Sequence, residues 1–154
     1  MIGEAAHHSV SVAGVVIDEN GRTLVIQRRD NGRWEPPGGV LERDEPIIEG
    51  LLREVREETG LIVEPLALTG VYKNMRLGVV ALVFRCRPAD GTLTENSEAA
   101  GFRWVRESEV SAIRAIHVSG PTSIAERHRS WSWVQLARVG PSQGKPLSWA
   151  SPVR

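Results

Sequence analysis

Residues 39–61 read GVLERDEPIIEGLLREVREETGL, and this stretch decides the fold. Its second half predicts a helix on which Glu54, Glu57 and Glu58 stand at positions i, i+3 and i+4, and therefore on one side. Like charges at this spacing destabilise a helix by roughly 0.2–0.5 kcal/mol per pair. A hard divalent cation needs such a cluster, because Mg²⁺ takes carboxylate oxygens together with water and substrate phosphates.

The predicted helix has recognisable ends and one apolar stripe. We expect it to begin near Asp44 as the N-cap, with Pro46 in the first turn, and to end at Gly60 as the C′ residue. The centre of the stripe lies roughly 90–110° from that of the carboxylates, so one side should pack on a sheet while the next lines a cleft. The stripe consists of Ile48, Leu51, Leu52 and Val55.

Two other helix positions carry expectations. Arg53 follows Glu49 by four residues and precedes Glu57 by four, so its fork can reach carboxylates on both turns. Gly50 costs about 1 kcal/mol against Ala in mid-helix. Close packing is its expected reason, and room for a ligand is the alternative.

The spacing of Gly39, five residues, Glu45, seven residues and the run from Arg53 to Leu61 is that of the Nudix box, and the chain resembles the Nudix hydrolase family. The segment Trp-Glu-Pro-Pro-Gly-Gly that precedes the box is similar to that of MutT-type nucleotide hydrolases and ADP-ribose pyrophosphatases. The resemblance implies an α/β fold, a Nudix-type α/β/α sandwich with a mixed β-sheet. It also implies metal-dependent cleavage of a pyrophosphate bond in a nucleoside diphosphate linked to another group, of the nucleoside triphosphate, ADP-ribose or sugar-nucleotide type.

The resemblance implies roles for matching residues, with Mg²⁺ or Mn²⁺ as the cofactor. It places the cation on Glu57 and Glu58 and on the backbone carbonyl of Gly38. Glu54 is implied as a metal ligand or as the general base. Arg53 is implied to hold a catalytic carboxylate in place, while Glu45 has a supporting role.

Candidates outside the helix are less specific. A further metal-binding acid is expected from a later loop, where Glu98 is the candidate and Glu95 the alternative; either can equally be a solvated loop residue. Arg28 is a candidate for a phosphate contact, against simple surface charge. Trp34 is a candidate for base stacking, against core packing, and Gly39 lets the backbone approach a substrate closely.

Composition limits the remaining possibilities. We expect one domain over residues 1–154, with a core at about 9–118 and a C-terminal segment, 119–154, of unclear role. Zero net charge argues against a nucleic-acid or membrane-surface partner. The single Cys86 and the lack of a signal-like start favour a cytoplasmic protein. The resemblance to Nudix hydrolases implies a small-molecule nucleotide as the substrate.

Strands and a further helix are predicted around the box. Residues 107–116 should form a helix, and residues 23–27 should return beside the first strand after an Asn-Gly turn. The predicted strands cover residues 9–18, 23–27, 61–68, 78–87 and 102–105.

The tryptophan-bearing tail leaves alternatives open. Trp131, Trp133 and Trp149 predict an edge strand or packing segment, or else a homodimer contact. Beside an active hydrolase, the sequence therefore admits an assembly role for the tail and a Nudix-fold module that senses a nucleotide without turnover. Such sensors usually lose box carboxylates, and this chain retains them.

Overall fold

A computed structural model describes residues 7–110 of the chain, which form an α/β fold. Seven strands and two helices lie in this part. The strands are β1 Ser9–Val16, β2 Thr23–Arg28, β3 Trp34–Glu35, β4 Gly38–Val40, β5 Leu61–Asn74, β6 Val79–Gly91 and β7 Ala99–Val105; the helices are α1 Ile47–Thr59 and α2 Glu107–Val110.

The strands are arranged in two sheets. The first has the order β4-β1-β6-β5, in which β1 and β6 run parallel and the other neighbours antiparallel. The second is an antiparallel sheet with the order β3-β2-β7. The predicted mixed sheet is thus confirmed, while the second sheet was not predicted.

Strand β2 is not paired with β1 in a sheet. In the described part of the chain the two meet at one bridge between Ile17 and Thr23, beyond a turn in which Asp18 Oδ1 accepts from the backbone N–H of Asn20 and Arg22. The expected pairing of β1 and β2 as a hairpin is therefore wrong. Strand β2 is covered on both faces, whereas a hairpin with one solvated face would leave one side of the strand exposed. Three consecutive residues of β2 are at most 1% exposed: Leu24, Val25 and Ile26.

Helix α1 packs its apolar stripe on the core, as predicted. Leu51 and Val55 are fully buried, and Ile48 and Leu52 pack against the margin of the same cluster. A Cβ atom at Gly14 would lie 3.0 Å from Val55 Cγ2, so the helix lies directly on β1. The other buried members of the cluster are Val12, Val16, Leu24, Leu61, Val63, Phe84 and Cys86.

The two ends of α1 differ from one another in how well the sequence predicts them. The helix ends at Gly60, which adopts φ 79° and donates its N–H to the Arg56 carbonyl, as expected of a C-terminal glycine. Its start near Asp44 is wrong: Pro46 occupies the N-cap with no side-chain cap. Pro46 is extended, and its carbonyl accepts the first helical bond, from Gly50. The residue before a proline is disfavoured in the helical region, which argues against Asp44 as the N-cap because Glu45 would then be helical.

Gly50 is present because of close packing. A methyl group there would overlap a Leu41 methyl and would approach Glu45 Oε1 to 2.8 Å. The loop between β4 and α1 therefore lies directly on the helix at this glycine, and the packing explanation is confirmed.

Several strands extend beyond their predicted limits. β5 and β6 pair from Leu61 with Gly91 to Asn74 with Val79, with register shifts that mark irregular pairing. β7 begins at Ala99, three residues before the expected start. The predicted helix over residues 107–116 is described only for α2, and the tail with its three tryptophans and possible dimer contact lies outside the described residues. The single-domain organisation stays a prediction.

Two expectations about chemistry and environment can be compared with the structure. Cys86 is fully buried in β6, and burial raises the pKa of its thiol to about 12, which agrees with a structural role. No helix within residues 7–110 is long and apolar enough to cross a membrane.

Leu51→Ala should destabilise the protein by about 2–5 kcal/mol, because a fully buried side chain is removed from the contact between α1 and the sheet. Thermal and urea unfolding measure the loss. Ile47→Ala is the matched control, since Ile47 lies on the same helix and is 45% exposed. Equal effects of the two changes would contradict the packing of α1 on this face.

Candidate active site

The three carboxylates of α1 that were predicted to share one side lie at different depths. Glu58 is 4% exposed, the side chain of Glu54 is 13% exposed, and that of Glu57 is 59% exposed. Glu54 and Glu58 therefore face the protein while Glu57 faces solvent. The three side chains therefore extend from the protein interior to solvent and do not form a solvated face.

Glu58 is bound to the glycine strand β4. Its Oε2 accepts a hydrogen bond of 2.7 Å from the backbone N–H of Gly38. Burial raises the pKa of Glu58 to about 8; the Gly38 bond lowers it, while the charges of Glu35, Glu54 and Glu98 raise it further. Positive charge near Glu58 is therefore needed to keep it ionised at neutral pH.

The second glycine of β4 makes room for Glu54. A methyl group at Gly39 would overlap the Glu54 carboxylate, so no residue with a side chain fits without displacing it. Burial raises the pKa of Glu54, and the neighbouring Arg53 guanidinium opposes that rise. The two glycines thus bring backbone against both inward-facing carboxylates.

Arg53 joins the carboxylates of the helix. Its Nη1 lies 2.9 Å from Glu54 Oε1 and 3.0 Å from Glu57 Oε2. Its Nε and Nη2 donate to the two oxygens of Glu45 at 2.9 and 2.7 Å. The fork therefore restrains the orientation of both Glu54 and Glu57.

Glu45, rather than Glu49, occupies the other prong of the Arg53 fork, so that part of the expected pairing is wrong. Glu45 lies in the turn before α1, where its Oε1 also accepts from the N–H of Glu42 at 2.7 Å. These hydrogen bonds, that from Arg53 foremost, lower the pKa of Glu45 to about 2. A fixed turn residue loses less conformational entropy in the pair than a solvent-exposed helix residue would.

Glu98 lies in a loop that approaches the helix, which supports its choice over Glu95. Its charge raises the pKa of both Glu54 and Glu58. Glu95 instead pairs with Arg29 across 3.4 Å.

Arg28 is already engaged by two carboxylates. Its Nε and Nη2 donate to Asp30 at 2.8 and 2.6 Å, and its Nη1 donates to Glu35 at 2.9 Å. Asp30 is exposed, whereas Glu35 is only 6% exposed. Arg28 is therefore held by a buried carboxylate on one side and an exposed carboxylate on the other.

Trp34 lies in β3, opposite Gln27 of β2. The guanidinium carbon of Arg103 lies 4.6 Å from the centre of the indole, so one face of the ring carries a cation. Trp34 is half-buried. It combines packing with a partly accessible aromatic surface.

The donor set fits a hard divalent cation. The groups that the site offers are carboxylate oxygens from Glu54, Glu57, Glu58 and Glu98 together with the Gly38 carbonyl, and the bare backbone of Gly39 leaves space beside them. Within residues 7–110 no three acidic, His or Cys side chains converge into a finished cation site. Arg53 holds Glu54 and Glu57 instead, and Glu57 is the more exposed of the two.

Comparison with known proteins identifies the family. The NUDIX domain profile matches residues 7–126. This chain belongs to the Nudix hydrolase family. The predicted box over residues 39–61 is thereby confirmed, as is the enzyme class, a MutT-like pyrophosphatase. The sensor alternative is set aside.

Two relatives illustrate how far the similarity extends. A MutT-like protein of Streptomyces ambofaciens is 59% identical over 104 residues, covering 68% of each chain. An ADP-ribose pyrophosphatase of Methanocaldococcus jannaschii is 35% identical over 100 residues, covering 60% of this chain and 59% of the relative. Nudix hydrolases typically depend on a divalent metal and act on nucleotide-type small molecules.

A solved structure supports the Nudix fold. The MutT protein of Methanosarcina mazei superposes with a TM-score of 0.66 at 23% identity, covering 84% of this chain and 90% of that one. This likeness confirms the predicted α/β class with mixed sheets and helices.

Two residues near the site were not predicted. Glu35 stands between Trp34 and two prolines, where a charged residue in a rigid, buried segment was the available signal. Asn96 contacts the end of α1 from a turn-rich segment, and no sequence signal points to that contact.

Arg53→Lys should lower kcat substantially while the melting temperature changes little. Lysine keeps the charge but cannot hold Glu45 and Glu54 with one planar fork. Arg87→Lys is the control, because Arg87 makes an exposed pair with Glu64 away from the box. An unchanged kcat would show that Arg53 does not position a carboxylate.

Glu58→Gln should alter the pH dependence of stability in EDTA. Because the pKa of Glu58 is raised, its stabilising contribution is full below the ordinary value of 4.5 and is lost as pH rises through about 8. The wild-type melting temperature should therefore fall more steeply over this window than that of the variant. Added Mg²⁺ should flatten the wild-type curve, and parallel curves in EDTA would contradict the burial of an ionisable Glu58.

Proposed function

We propose that this Nudix hydrolase cleaves a pyrophosphate bond in a nucleoside diphosphate derivative, with Mg²⁺ or Mn²⁺ as its cofactor. One observation carries the proposal: Glu58 is buried against the Gly38 N–H, and three further carboxylates raise its pKa. Such a cluster of carboxylates does not stabilise a protein by itself, and the binding of a cation explains its presence.

The carboxylates divide the work according to their depth. Glu57 and Glu58, with the Gly38 carbonyl, hold the cation. Glu58 is the fixed ligand, since the Gly38 N–H orients it, whereas Glu57 turns from Arg53 to bind. Glu98 adds an oxygen from the facing loop.

Glu54 is a metal ligand or the group that accepts a proton from the attacking water. Burial raises the pKa of Glu54 and so makes it a stronger base, while the Arg53 guanidinium opposes that rise and orients the carboxylate. When bound, the cation neutralises the phosphate oxygens and lowers the pKa of a coordinated water.

The substrate is bound at the edge formed by β2, β3 and β4. Arg28 contacts a phosphate in place of Asp30, Trp34 stacks on the base, and Gly39 allows the phosphates to approach the backbone. The relatives are named as MutT-like and as an ADP-ribose pyrophosphatase. Both names are compatible with a nucleoside diphosphate linked to another group.

A panel of nucleoside triphosphates, oxidised nucleotides, ADP-ribose and sugar nucleotides tests the proposal directly. Product release is measured with Mg²⁺, with Mn²⁺ and with excess EDTA. We expect at least one class of compound in the panel to be hydrolysed. The bond between two phosphates should break, so that both products contain phosphorus. Full turnover in EDTA would overturn the metal assignment.

Glu57→Gln and Glu58→Gln should each fold and lose roughly 10³-fold or more in kcat/KM at saturating Mg²⁺, because the amide keeps the shape and drops the charge that holds the cation. Glu64→Gln is the control, since Glu64 pairs with Arg87 on the surface of the sheet. Wild-type rates in both box variants would remove these residues from the site.

A further inference from the structure

Residues 92–98, here called the 92–98 loop, connect β6 to β7 and pass the C-terminal end of α1. The backbone N–H of Thr94 donates to the Thr59 carbonyl at 3.0 Å. The loop carries Glu98, the acid that faces the helix carboxylates. Its placement therefore decides whether Glu98 can share a cation with the helix.

The side chain of Asn96 ties the loop to the helix. Its Nδ2 donates to the backbone carbonyls of Glu57 and Glu58 at 3.0 and 2.9 Å. Its Oδ1 accepts from the backbone N–H groups of Glu98 and Ala99 at 2.8 and 2.9 Å. One planar amide thus fixes the backbone of Glu98 relative to the last turn of α1.

Arg29, which directly follows β2, also holds the loop. Its backbone N–H donates to the Glu98 carbonyl at 2.8 Å, and its Nε donates to the Asn96 carbonyl at 2.6 Å. The peptide of Glu98 is therefore restrained at both its N–H and its C=O. The Glu98 side chain is exposed and keeps its own freedom to reach an ion.

We propose that Asn96 is a positioning residue that sets the distance between the Glu98 carboxylate and the carboxylates of Glu57 and Glu58, and thereby the affinity for the divalent cation. The inference rests on the proposed function. A helix C-terminal cap requires only donors to the orphan carbonyls. Asn96 also uses its acceptor to hold the ligand-bearing residue, and residues that orient metal ligands commonly affect metal affinity.

Mn²⁺ binding to the metal-free full chain, followed by electron paramagnetic resonance, tests the inference without substrate. Asn96→Ala and Glu98→Gln should each weaken Mn²⁺ binding on the order of tenfold. The double variant should bind no more weakly than Glu98→Gln alone, because Asn96 acts through Glu98. Asn74→Ala is the control: Asn74 Oδ1 likewise accepts two backbone N–H groups, from Arg76 and Leu77, in the turn between β5 and β6.

Asn96→Asp keeps the oxygen that binds Glu98 and Ala99 but loses the donors to the helix. We expect weaker Mn²⁺ binding in this variant too, even though an added carboxylate would otherwise attract the cation. If Asn96→Ala does not fold, the Mn²⁺ affinity of Asn96→Asp tests the inference in its place. Affinity at or above the wild-type value in Asn96→Asp would overturn the inference.

Other outcomes separate the inference from the proposed function. Wild-type affinity in Asn96→Ala or Glu98→Gln, or losses that multiply in the double variant, would overturn the role of Asn96 alone, provided that Glu58→Gln abolishes Mn²⁺ binding. Wild-type protein that binds no Mn²⁺, or Glu58→Gln that binds it normally, would overturn both.

Discussion

The rotation of α1 about its axis is the constraint on which the site depends. Leu51 and Val55 are fully buried on the sheet, so the helix has one orientation in which its apolar stripe is covered. In that orientation Glu54 and Glu58 meet the backbone of Gly38 and Gly39, and Glu57 stays in solvent. Burial of each core side chain contributes about 1.5–3 kcal/mol, which exceeds the cost of the like charges beside it.

The same packing creates an electrostatic conflict that the chain resolves only in part. Arg53 lies near three carboxylates and compensates their charge. Glu58 instead accepts a hydrogen bond from the Gly38 N–H and is repelled by neighbouring carboxylates. Burial and the neighbouring carboxylates disfavour the ionised form of Glu58, so its position there is a feature of function rather than of folding. Stability and cation affinity are therefore opposed at Glu58.

How well each feature could be predicted follows the separation of its parts along the chain. The helix, its buried stripe and its glycine end depend on neighbours within a few residues, and they were predicted correctly. The start of α1 was placed two residues too early, although Pro46 was expected in the first turn, because a proline disfavours the helical region for the residue before it. The second sheet depends on β2 meeting β7 far along the chain, and the hairpin pattern predicted the wrong partner.

Within the site, separation along the chain likewise decides which contacts could be predicted. The Arg53–Glu57 pair spans four residues and is visible as a spacing, whereas the Gly38–Glu58 bond spans 20 residues and the Asn96–Glu58 bond spans 38. Family resemblance supplied Gly38, because its carbonyl belongs to a fixed motif. Asn96 belongs to no such motif, and only the fold brings it to the helix. The helix carboxylates thus lie in one continuous segment, while the placement of Glu98 beside them depends on a loop that only the fold brings to the helix.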